Sequence, residues 1–134
     1  MSEENVEVVQ RGLAAFARND PDGVKASLHP DATWAPALGG LTTKSVYRGA
    51  EAICQLLFEE VPTVLEDFSA EIRDLDAAGD AVMTTARFSG RSKSTGLGVE
   101  QTFFHVYRVR DGKIVEMHGF TTREEALEAA GLSE

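Results

Sequence analysis

The chain has 134 residues, 43% of them hydrophobic and 26% charged, with a formal net charge of −9. That length suits one domain, spanning 1–134, with a core of its own. The acidic balance argues against nucleic acid or an anionic membrane surface, both of which need basic patches, so neither is expected as a partner.

The first predicted helix runs from about Glu3 to Asn19, with Ser2 as its cap and Glu3 and Glu4 at the positive end of its dipole. Val6, Val9, Leu13, Phe16 and Ala17 fall on one face at helical spacing. A second helix follows at once, capped by Asp20, with Pro21 in its first position and an end near Leu28, before His29-Pro30. A short strand carrying Trp34 is expected over Asp31 to Ala37, and Pro36 ends it or keeps it at an edge. A glycine- and threonine-rich loop, Leu38 to Arg48, leads to a third helix over about Ala50 to Glu60. There Ala50, Ile53, Cys54, Leu57, Phe58 and Val61 form one stripe, and Pro62 is expected to stop it.

The hydrophobic period then changes from about 3.6 to 2. Phe68, Ala70 and Ile72 alternate with polar residues, Ala78-Gly79-Asp80 marks a turn, and Val82, Thr84, Ala86 and Phe88 alternate again. Gly90 to Gly98 is a polar, basic hairpin loop, with Arg91 and Lys93 at a solvated tip. Gln101 to Arg110 and Lys113 to Phe120 are two strands rich in aromatic and β-branched residues, joined by Asp111-Gly112, a strong hairpin signal. A short helix over about Arg123 to Ala130 closes the chain, with Thr122 and Glu125 as a capping box and Gly131 as its stop.

The hairpin carries two of the three histidines. A two-residue turn pairs Arg110 with Lys113 and sets His105 opposite His118. A type I turn with Gly112 as a bulge sets His105 opposite Met117 instead. A slip of one residue exchanges the faces of every side chain, and the sequence leaves both registers open.

The lone Cys54 permits no internal disulfide and shows no zinc pattern. The segment MSEENVEVV lacks an apolar signal core, and no run of 18 apolar residues is present. A cytoplasmic location is the expectation. Consecutive hairpin-linked strands imply an antiparallel meander, with the three early helices over one face. A curved sheet closed that way encloses a cone with an interior pocket, a default ligand site.

The segments NVEVVQRGLAAFARNDPDGVKASLHPDATW, VYRGAEAI, FFHVYRVRDGKIVEMHGF and TREEALEAAGL, in that order, resemble the nuclear transport factor 2-like superfamily, and more closely its SnoaL-like branch. The resemblance implies a conical α+β barrel: a curved antiparallel sheet of one short and four long strands, three N-terminal helices and a short C-terminal helix. It also implies a homodimer packed through the outer sheet face, and a pocket lined by the first helix, the Trp34 region, the third helix and the inner sheet face.

The catalytic sets of that superfamily are mostly missing. Where ketosteroid isomerases carry an aspartate base, this chain reads Pro36 between Ala35 and Ala37. Their helical tyrosine falls near Gly12, and the strand from Gln101 to Val109 holds no acid. The Asp-Arg-Asp set of limonene-type epoxide hydrolases reads Ala86, Phe88 and Gly119. The aspartate base of SnoaL-like polyketide cyclases also reads Gly119, whereas their assisting histidine is retained as His105.

His105 is therefore the candidate catalytic residue, because an imidazole in an apolar pocket can act as a general base. His118 is either a second pocket group or an outer-face residue. His29 is read as structural, Glu116 as a surface residue and Tyr47 as packing on the third helix. The expected function is binding of a small hydrophobic molecule in an internal pocket lined by Phe16, Trp34, Phe88, Phe103, His105, Tyr107, Met117 and Gly119. No cofactor and no metal are expected. The alternative is a cofactor-independent cyclase, isomerase or hydrolase with His105 as general base, assisted by Tyr107 or His118.

Overall fold

A computed structural model describes residues 2–37, 46–78 and 81–131. Helix α1 spans Ser2–Ala17 and α2 spans Pro21–Ser27; β1 covers Leu28–Ala35 and β2 Tyr47–Arg48. Helix α3, Ala50–Gln55, continues as a π turn, Leu56–Glu60, into α4, Val61–Val64. Strands β3 (Leu65–Ala78), β4 (Ala81–Ser92), β5 (Gly98–Arg110) and β6 (Lys113–Phe120) precede α5, Arg123–Ala129. Most of the expected loop Leu38 to Arg48, and Gly79 and Asp80 of the expected turn, lie outside the described residues. Among the described residues, no helix is long and apolar enough to cross a membrane.

The strands form one curved, unclosed sheet in the order β2-β1-β6-β5-β4-β3. The four long strands are an antiparallel meander, as their hairpin links require. The sheet as a whole is mixed, not purely antiparallel, because β1 runs parallel to β6. The chain between the two strands holds β2, the α3–α4 segment and the rest of the meander, far more than the roughly dozen residues a parallel pair needs. Strand β2 is a two-residue strand that pairs Tyr47 with Trp34 at the edge.

Local chemistry accounts for the element ends. The Asp20 side chain accepts the Gly23 N–H at 3.1 Å and caps α2, with Pro21 in the first turn. Thr122 Oγ1 accepts the Glu125 N–H at 3.3 Å and caps α5, and Gly131 leaves that helix at φ 82°. Ser2 is already helical rather than a cap, and Asn19, at φ 57°, lies beyond the end of α1. On α1, Val8 and Ala15 are buried and Ala17 is exposed. Leu28 to Pro30 already belong to β1, where the His29 ring accepts the Asp31 N–H at 3.0 Å.

Pro62 does not stop the third helix. It falls in the first turn of α4, directly after the π turn has widened the backbone, where its missing N–H removes no α-helical bond.

Two packed layers result. Between the helices and the inner sheet face lie Val9, Val24, Trp34, Ile53, Leu56, Val82, Phe103, Tyr107 and Ile114. On the outer face, α5 sets Ala126, Leu127 and Ala130 against Met83 and Val106.

Candidate functional site

The β5–β6 hairpin sets the site. Asp111 (φ 53°) and Gly112 (φ 75°) form a two-residue turn with both residues left-handed, and Arg110 pairs with Lys113. The register then shifts. Val109 still faces Ile114, but Arg108 faces Glu116, leaving Val115 as an extra residue in β6. His105 consequently pairs with Gly119, and neither expected register holds through the whole hairpin. His118 pairs with Val106 on the outer face, where it is exposed and stacks on Phe120 at 4.3 Å.

His105 therefore points to the inner face, 4% exposed. It lies in a ring of aromatic side chains: Trp34, Phe88 and Tyr107 each at 6.1 Å between ring centres, and Phe103 at 6.4 Å. Among the described residues no hydrogen bond reaches its imidazole. Its ring lies against Gly119, where an added Cβ would come 2.9 Å from Nε2.

A cavity of about 80 Å³ opens beside it, walled by Phe16 and Leu13 of α1, Trp34 of β1, Ile53 and Leu57 of the third helix, and the inner face of the sheet. No carboxylate, lysine or arginine is among the described lining residues; the polar side chains are Ser27, Trp34, His105 and Tyr107. The volume is about half that of a cavity of ~150 Å³ known to hold benzene. A single-ring guest must displace side chains, and Met117 and Leu57, both in the wall, are deformable enough to move.

Burial dominates the electrostatics. It holds the His105 pKa down to about 4, with the charge of His118 adding to the effect, so the imidazole is neutral at pH 7. Burial also pushes the Tyr107 phenol up to about 12. Thr84 Oγ1 lies beside that phenol and opposes the shift, but outside normal hydrogen-bond geometry. The site thus offers neutral groups that can exchange hydrogen bonds with a guest and no fixed charge to balance an ion. Among the described residues no group of three or more His, Cys, Asp or Glu could hold a metal ion.

Of the residues expected in the pocket, Phe16, Trp34, Phe88, His105, Tyr107 and Met117 line this cavity. Phe103 and Gly119 do not. Phe103 packs behind Phe88 at 5.0 Å and faces a separate open groove. Gly119 is covered by the His105 ring. Tyr47 is buried at the sheet edge away from the cavity, and Glu116 lies outside, 3.6 Å from Arg108. Arg91 pairs with Glu66 at 3.4 Å and Asp67 at 3.0 Å. The sequence reading did not single out Gly12, Ser27, Ala70, Ile72 or Ile114, which also line the cavity. The alternation of β3 pointed Ala70 and Ile72 inward, but Gly12 and Ser27 carry no apolar signal.

A family model for the SnoaL-like domain matches residues 9–117. No curated protein sequence matches the chain significantly. Among solved structures, a nuclear transport factor 2-like protein from Burkholderia thailandensis is 29% identical, with a TM-score of 0.80 over 95% of this chain and 96% of that one. TerC, co-crystallised with polyporic acid, is 25% identical, with a TM-score of 0.75 over 93% of this chain and 98% of its own. A putative polyketide cyclase from Sinorhizobium meliloti is 21% identical, with a TM-score of 0.68 over 85% of this chain and 94% of its own, a likeness of fold alone. Family match and fold agree, and the chain belongs to the SnoaL-like family.

Proposed function

We propose that this protein binds a small, uncharged, mainly apolar molecule in the cavity beside His105. The observation that carries this reading is the lining itself: apolar walls on every side, a few neutral polar groups, and no ionised side chain among the described residues. Such a composition favours ligands that lose little on leaving water. TerC, a similar fold that holds polyporic acid, supports by analogy the binding of a small molecule, whereas the preference for an uncharged one rests on the lining alone.

Trp34 is the only tryptophan in the chain, so its fluorescence reports on the cavity directly. Titration with toluene and cyclohexanone is expected to give a saturable change in emission. Ala70→Leu, which fills the cavity from β3, is expected to remove that change while leaving the fold intact. Absence of saturation with both probes, or undiminished binding in Ala70→Leu, overturns the proposal.

A second reading is catalytic, with His105 as general base, and it rests on the unpartnered imidazole. A base with a pKa of about 4 withdraws protons only from unusually acidic carbon or oxygen acids, which limits the substrates to activated ones. Turnover of such a substrate that His105→Ala abolishes without altering the circular dichroism spectrum supports this reading; turnover that survives the substitution removes it.

The family resemblance also suggests a homodimer formed through the outer sheet face, where Phe104, His118 and Phe120 lie. Light scattering at micromolar concentration tests it, and a monomeric mass counts against it.

A further inference from the structure

Among the described residues two buried side-chain polar atoms have no hydrogen-bond partner, Thr84 Oγ1 and Trp34 Nε1, and only the second is confined to donating. Trp34 is 4% exposed, its indole forms part of the cavity wall, and its Nε1–H has no partner. Buried polar groups are nearly always paired, so an orphan of this kind calls for an explanation. The groups around it differ in one respect. Tyr107 and Thr84 carry hydroxyls that donate or accept, and a neutral imidazole does both through its two nitrogens. An indole N–H can only donate. Nothing that merely donates, and no cation, satisfies it.

We propose that Trp34 is the positioning residue of the cavity, its Nε1–H donating to an acceptor oxygen on an uncharged ligand such as a ketone, a lactone or a quinone. This rests on the cavity-binding reading above and narrows it. The acceptor follows from the orphan donor, and the absence of ionised lining residues follows the same chemistry, since a carboxylate guest meets no counter-ion here. A carbonyl oxygen on Trp34 leaves the rest of the guest among Phe88, Tyr107 and the His105 ring, which stands 6.1 Å from the indole.

The test uses a matched pair of probes, cyclopentanone and methylenecyclopentane, which differ in replacing C=O by C=CH2. With one tryptophan, the ¹⁵N-labelled protein gives a single indole N–H resonance. The ketone is expected to bind roughly tenfold more tightly than the hydrocarbon, in the range of one net hydrogen bond, and to move the indole proton downfield; the hydrocarbon is not. Trp34→Phe is expected to bring the ratio of the two probes' affinities close to one, whatever it does to the affinity they share.

Equal binding of the two probes, an indole resonance that the ketone leaves in place, or a ketone preference that survives in Trp34→Phe overturns this inference while the cavity reading stands. Failure of both probes to bind overturns the two together. The comparison in the unmutated protein decides the matter even if Trp34→Phe does not fold.

Discussion

A β-carbon at residue 119 would stand 2.9 Å from Nε2 of His105, so the imidazole occupies the space that any side chain at Gly119 would fill. The same added atom would stand 2.9 Å from the backbone nitrogen of Ala37. Trp34, Phe88, Phe103 and Tyr107 crowd the ring, so the space left for it to yield into is the cavity that it lines. Gly119→Ala is therefore expected to destabilise the protein by about 1–3 kcal/mol, the range of an overpacked core, and to weaken binding of cavity probes by displacing the ring. Urea denaturation and the Trp34 titration measure the two effects. A variant as stable as the parent, with unchanged probe affinity, shows that the imidazole has room to spare.

His105 also makes the fold sensitive to acid. Its pKa is 6.5 in an ordinary setting and about 4 in the folded protein. Between those values the unfolded chain takes up a proton that the folded chain refuses, so acidification favours unfolding. The contribution is fully present above about pH 6.5, is lost as the pH falls to about 4, and is constant below that. In total it is worth roughly 3 kcal/mol, of which about 2 kcal/mol is lost between pH 7 and pH 5. Urea unfolding at those two pH values, for the parent and for His105→Asn, isolates the effect from other titrating groups. The parent is expected to lose more stability on acidification than the variant; equal losses contradict a depressed His105 pKa.

Phe88 joins the aromatic cluster to the cavity. It meets Phe68 edge-on at 5.5 Å and Phe103 at 5.0 Å, and it stacks with the His105 ring at 6.1 Å. Phe88→Ala leaves a gap continuous with the existing cavity. The expected cost is about 2–4 kcal/mol, below the top of the range because Phe88 is only half-buried. The expected gain is room for a two-ring guest, so naphthalene should bind the variant and not the parent. If naphthalene binds both equally, the cavity already opens that far in solution. If it binds neither, the gap has collapsed.

Long stretches of this architecture are legible in the sequence. Helical spacing identified α1, Asp20-Pro21 placed the start of α2, and the change of period to 2 marked the sheet. Asp111-Gly112 located the turn that both residues adopt with positive φ. What escaped the reading was non-local or subtle. Parallel pairing of β1 with β6 depends on contacts between segments some eighty residues apart, which no local pattern encodes. The π turn let the helix run past Pro62 into α4, because a wider turn removes the conflict that made proline look like a stop. Phe103 sits on the correct face but one cross-strand layer beyond the cavity, behind Phe88. Alternation along a strand gives the face and not the depth.

Which residue of β6 stands opposite His105 turns on one extra residue. Val115 is the extra residue that moves β6 from the register Arg110–Lys113 to the register Arg108–Glu116. It is neither glycine nor flanked by one, so it carries no bulge signature. Deleting Val115 joins Ile114 directly to Glu116. Ile114 already faces Val109 and Glu116 already faces Arg108, so the shortened strand pairs continuously and His105 keeps Gly119 as its partner. The deletion is therefore expected to be tolerated, at a cost of about 1–2 kcal/mol from lost local twist and altered pairing with β1. Cross-strand nuclear Overhauser contacts between His105 and Gly119 should persist in the variant. Their replacement by contacts between His105 and His118 requires Val109 to pair with Lys113 across a three-residue turn, and contradicts the assignment of Val115 as the extra residue. It also places His118 inside, where a second imidazole has no room beside the first.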